Sequence, residues 1–140
     1  MIQEVDKSKI YEEKCLVYAE KVAEFWLNLQ SKLGLIPNRL DKSYTHLDNK
    51  TDFAVALLKL YALTENKKYK NAAIKIIDGV IKFHRTDRGY VTSVDAKSGE
   101  IVNYEVKTKF NSLFLKPLIA IDREDEIYKD KKLYNILRDR

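Results

Sequence analysis

The stretch "TDFAVALLKLYALTENKKYKNAAIKIIDGVIKFHRTDRGY", Thr51–Tyr90, decides how this chain folds. Its first part, about 52–64, is apolar nearly all the way round: Phe53, Ala54, Val55, Ala56, Leu57, Leu58, Leu60, Tyr61, Ala62 and Leu63 surround a single internal charge, Lys59. A helix that is apolar on every side must be covered on every side. The turn "TENKK" is short, so the next helix, about 67–85, is expected to lie antiparallel beside it. That second arm is striped. Tyr69, Ala72, Ala73, Ile76, Ile77, Val80, Ile81 and His84 share one face, and lysines fill the other. One wholly apolar arm and one striped arm read as the inner and outer helices of a hairpin.

On the N-terminal side, 9–33 reads as a leading helix. Cys15, Tyr18, Ala19, Val22, Ala23, Trp26, Leu29 and Leu33 recur at three- and four-residue spacing, and Gly34 supplies a stop. On this reading Cys15 is an inert core thiol and Trp26 a packing residue. On the C-terminal side the period changes. "GYVTSVDAKSGEIVNYEV" has β-branched runs around "DAKSGE", which predicts a small β-hairpin. A further apolar helix follows at about 109–122, with Pro117 expected to kink it or locally break its bonding. A last striped helix is expected at about 126–138.

The order repeats. Tyr69-Lys70-Asn71 is answered by Tyr128-Lys129-Asp130 at an offset of 59 residues. A unit of one buried and one striped helix cannot bury its core alone and stacks on its neighbours. The tight turns join inner to outer helices. The two long connections, "GLIPNRLDKSYTHLDNK" and "TDRGYVTSVDAKSGEIVNYEVKT", therefore emerge at one end, where sites on helical scaffolds usually sit.

Composition limits the function. The chain of 140 residues is 45% hydrophobic and 34% charged, which fits one domain, residues 1–140, with a real core. No apolar run approaches membrane-spanning length and the opening "MIQEVDKSKIYEEK" lacks a leader's apolar core, so no membrane association and a cytoplasmic location are expected. The formal net charge is +5, and Lys67, Lys68, Lys70, Lys75, Lys82 and Arg85 against Asp78 place all of it on 67–85. These lysines back an amphipathic helix without accompanying base-reading groups, so no nucleic-acid partner is expected.

The stretches "GLIPNRLD", "DFAVALLKLYALTENKKYKNAAIKIIDGVIKFHR", "GYVTSVDAKSGEI" and "NSLFLKPLIAI" resemble the (α/α)-toroid, or six-hairpin glycosidase-like, superfamily over roughly residues 10–138. The resemblance implies an all-α fold, a partial (α/α) toroid of antiparallel helical hairpins with one small β-hairpin. It also implies a carbohydrate-acting or carbohydrate-binding protein, and, if an enzyme, a glycoside hydrolase or a sugar epimerase-like one, with its cleft at the long-loop end. Two hairpins and a leading helix do not close a toroid. The chain is therefore expected to form a homo-oligomer or to meet a complementing chain, or else to be a non-catalytic helical-repeat interaction module.

At the expected rim, Asp48 or Asp52 with Glu105 form the candidate catalytic pair, since two carboxylates across a cleft can do glycosidic acid–base work. Tyr44, His46, Asp95, Glu100 and Tyr104 are the candidate substrate-binding residues, the tyrosines as flat stacking faces. The same residues have plainer readings. Asp52 suits a helix's first turn whatever the function, Glu105 can simply pair with Lys107, and His46 fits a surface loop. His46 and Asp48 lack a third ligand, so no metal is expected, and no cofactor motif is present. The rim's balanced charge points to a neutral carbohydrate.

Overall fold

The computed structural model describes residues 2–122, with side chains from 12 to 121. The expected helix at 126–138 and the second copy of the repeat motif lie outside the described residues.

The chain runs α1 (Ile2–Leu27), β1 (Tyr44–His46), α2 (Leu47–Thr64), α3 (Lys67–Phe83), β2 (Arg85–Thr86), β3 (Gly89–Tyr90), β4 (Ser93–Asp95), β5 (Ile101–Asn103), α4 (Thr108–Leu113) and α5 (Leu115–Asp122). The antiparallel hairpin at the centre is present, but α2 starts earlier than expected, at Leu47, and is not covered on every side, since Ala56 and Leu63 are exposed. Glu65 closes α2 in the left-handed conformation, and the Asn66 side chain caps α3 by accepting from the Lys68 amide at 3.1 Å. Leu57, Ala73, Ile76 and Val80 are fully buried between the two helices.

The all-α expectation is overturned. The "DAKSGE" hairpin exists as β4 and β5, but it belongs to a three-stranded antiparallel sheet ordered β1-β4-β5, and β2 with β3 makes a second, two-stranded sheet. The physical reason lies in the first long connection. "SYTH" supplies β-formers whose middle residue, Thr45, is buried while Tyr44 and His46 are half-buried, the alternation of a strand with one face inward. Tyr44 pairs with Asp95, Thr45 with Val94 and His46 with Ser93. The two long connections thus meet at one end by hydrogen bonding to one another.

That first connection is itself core. Leu35 and Ile36 are fully buried. It crosses α3 so closely that a Cβ on Gly34 (φ +83°) would fall 2.2 Å from the Lys75 carbonyl oxygen. The Gln30 side chain fixes the crossing, donating to the carbonyls of Gly34 at 2.9 Å and Ala72 at 3.2 Å.

Three further expectations need correction. The leading helix stops at Leu27 rather than near 33, and its stripe is not a core stripe: Ala23 is buried, whereas Cys15, Tyr18 and Val22 are exposed. The helix over 109–122 is broken, as one of the two effects expected of Pro117, but the break falls at Phe114, three residues ahead of the proline. Proline 117 is the third residue of α5, where its missing N–H removes a bond to Leu113 and so ends α4 there. Finally, α5 lies beside α2 but is not an all-round buried helix, since Leu115 and Ile119 are at least half exposed.

Candidate functional site

The sheet brings several of the named residues together. Tyr44 and His46 stand two apart on β1, hence on one face, with ring centroids 5.0 Å apart. Asp95 and Ser93 lie opposite them on β4. The Ser93 hydroxyl meets His46 Nδ1; Ser93 is 1% exposed, whereas His46 is half-buried. The His46 amide donates to Asn38 Oδ1 at 3.1 Å.

Asp95 organises the hairpin. Its Oδ1 accepts from the amides of Lys97 at 2.9 Å and Ser98 at 2.8 Å, and its Oδ2 from the Ser43 hydroxyl. These donors, the Ser43 hydroxyl first, hold its carboxyl below the usual aspartate range. A carboxylate with its lone pairs committed in this way is a turn anchor.

Two of the three candidate catalytic acids stand beside a lysine, and the backbone of the third, Asp48, follows Leu47, whose amide donates to the Thr92 carbonyl while the Thr92 amide donates to that of Glu105. Asp52 is exposed on α2 with its carboxylate 3.8 Å from Lys116 Nζ. Glu105 is exposed beyond β5 with its carboxylate 3.6 Å from Lys107 Nζ. Asp48 sits half-buried in the first turn of α2, where an acid is favoured by the helix dipole. Glu100 and Tyr104 are exposed in and after the hairpin, Tyr104 at 72%.

Two titratable groups that the motif reading did not single out as functional sit inside. Lys50 is 6% exposed, with Nζ 3.4 Å from the Pro37 carbonyl oxygen and 5.7 Å from the Trp26 ring centre. Burial lowers its pKa to about 8, against the raising effect of Asp48. The signal was legible: Leu47, Lys50, Thr51, Ala54, Leu57 and Leu58 follow the three- and four-residue spacing of one buried face. His84, on the apolar stripe expected of the second arm, is fully buried. Its Nδ1 lies 2.8 Å from the Val91 carbonyl oxygen, so that nitrogen carries the proton, and Nε2 has no hydrogen-bond partner. Burial, above all, pushes its pKa below the ordinary histidine value.

Among the described residues no group of three His, Cys, Asp or Glu side chains could hold a metal ion, and no helix is long and apolar enough to cross a membrane. No family model matches this chain, and neither a curated protein nor a solved structure matches it.

Proposed function

We propose that this chain is a non-catalytic interaction module that pairs with a second copy of itself through α1. The observation that carries this reading is the outer surface of that helix: Val17 is 49% exposed, Tyr18 66%, Val22 56% and Phe25 50%. Tyr18, Val22 and Phe25 follow i, i+4, i+7 spacing, so they form one apolar stripe in water. Clustered apolar side chains on a surface mark an interaction site. The stripe is flanked by exposed groups of both signs, Glu12 and Glu13 with Lys14 and Lys21. A mixed border suits self-pairing across a two-fold axis better than a partner of one charge.

The non-catalytic part of the reading rests on the sheet end. Asp52 and Glu105 each stand beside a lysine, and Asp95 is committed to its turn. The lone exposed thiol, Cys15, suits a reducing compartment, and the cytoplasm is the proposed location. A weak neutral-carbohydrate site at the sheet end is the second reading, favoured by the outward ring of Tyr104.

Sedimentation equilibrium tests the self-pairing. The native chain is expected to associate with rising concentration, and Val22→Glu to remain a monomer with an unchanged circular dichroism spectrum. A native chain that stays monomeric at every concentration, or a Val22→Glu variant that associates equally well, would overturn it.

A further inference from the structure

A groove of about 490 Å³ opens between the first long connection and the β4–β5 turn, away from the outer stripe of α1. This volume lies within the range of small-molecule sites. We propose that it binds a small monoanion with an apolar body, a carboxylate on an aromatic or aliphatic frame.

Its floor is apolar, made by Leu29, Pro37 and Ala96, with Leu40 at the lip and 70% exposed. An isolated apolar lip at the mouth of a groove gives a hydrocarbon body something to lie against. Its charged border is Lys42 and Lys97 with Asp41. Among the described residues neither lysine makes an ion pair. The nearby acids are already occupied. Asp41 is held by Arg39 through two bonds, at 2.9 and 3.0 Å, and Asp95 by its turn and Ser43. Among the lining residues two cations (Lys42, Lys97) against one carboxylate (Asp41) leave one positive charge, which one anionic group on a ligand would neutralise.

The hydroxyls add direction. Ser31 Oγ accepts from the Leu33 amide at 3.2 Å, which leaves its own proton for a ligand oxygen. Ser43 has given its proton to Asp95, so it offers only lone pairs. The ligand's anionic group can therefore meet the lysines and the Ser31 proton, and a ligand hydroxyl can donate to Ser43. Inorganic phosphate would meet the lysines but leave the apolar floor wet.

Amide chemical-shift titrations of the whole chain with benzoate, benzamide and inorganic phosphate test this. Benzoate is expected to shift the amides of Ser31, Ser43, Ala96 and Lys97. Benzamide, the neutral isostere, should bind at least about fivefold more weakly, the factor for about 1 kcal/mol of ion pairing. The double variant Lys42→Gln/Lys97→Gln alters two exposed side chains and should bring benzoate down to the benzamide level. Equal binding of benzoate and benzamide by the native chain, phosphate binding as tightly as benzoate, or shifts only along α1 would overturn the proposal.

Discussion

The Ser43 hydroxyl donates to the Asp95 carboxylate across 52 residues of chain, and the Ala96 amide donates back to the Ser43 carbonyl at 2.7 Å. This reciprocal contact fastens the first long connection to the tip of the β4–β5 hairpin. It extends the β1–β4 pairing to the end of the hairpin, which alone would have too little to bury.

Removal of the Asp95 side chain should therefore destabilise the fold. Asp95→Ala is expected to cost about 1–3 kcal/mol in urea denaturation, the range for stranding hydrogen-bonded partners of a charged group. Asp95→Asn keeps an acceptor for the turn amides and should cost less. The carboxyl titrates lower folded than unfolded, so its contribution is present above the ordinary aspartate pKa of 3.8 and is lost as pH falls through the depressed value. The Asn variant should lack that acid-side loss.

Lys50 predicts a trend of the same direction on the alkaline side. Its folded pKa of about 8 lies below the ordinary 10.5, so between those values the unfolded chain binds more protons and stability rises with pH. The gain is at most about 3 kcal/mol, from 1.36 kcal/mol per unit. Tyr69 works against it above pH 10. Burial, first, and then its bond to Glu20 raise its pKa from 10.0 to about 12, so stability falls as pH rises through that interval. Denaturation midpoints measured from pH 7 to 10 should climb for the native chain and stay flat for Lys50→Met, which should also be the more stable protein at pH 7.

His84 should be the neutral Nδ1–H tautomer at pH 7, with a C2 proton resonance whose titration midpoint lies below the ordinary 6.5. Its depressed pKa gives stability that is full above 6.5 and declines as pH falls below it. A resonance moving with a midpoint at or above 6.5 would contradict its burial beside Val91.

The central hairpin makes a plain packing prediction. Leu57→Ala, at a fully buried site, should cost about 2–5 kcal/mol. Leu63→Ala, on the same helix but 58% exposed, should change stability by no more than about 0.5 kcal/mol. Paired thermal melts would separate them, and equal losses would mean that α2 is covered on all sides after all.

The hairpin was legible because its pattern runs over several turns of helix and ends at true caps. The strands were harder to read. Three residues such as Tyr44–His46 carry one alternation, and what makes them a strand is a partner, Ser93–Asp95, far along the chain. The α1 stripe misled for a different reason. Periodicity says that Tyr18 and Val22 share a face with Ala23, but not whether a neighbour stands there to cover it, and this chain covers only Ala23. At the rim, residue type pointed to Asp52 and Glu105 as reactive acids, while distance assigns them to Lys116 and Lys107. Lys50 was hidden by its polar neighbours in "DNKTD", although its helical spacing placed it inward.

The central claim is that the outer stripe of α1 is a contact between copies. A mixed sample of carbon-13-labelled and unlabelled chain, recorded with isotope-filtered NOE spectroscopy, tests it at the level of side chains. The account predicts intermolecular NOEs from the methyl groups of Val17 and Val22 to the rings of Tyr18 and Phe25. A concentrated mixed sample with no intermolecular NOE to these four side chains would contradict it.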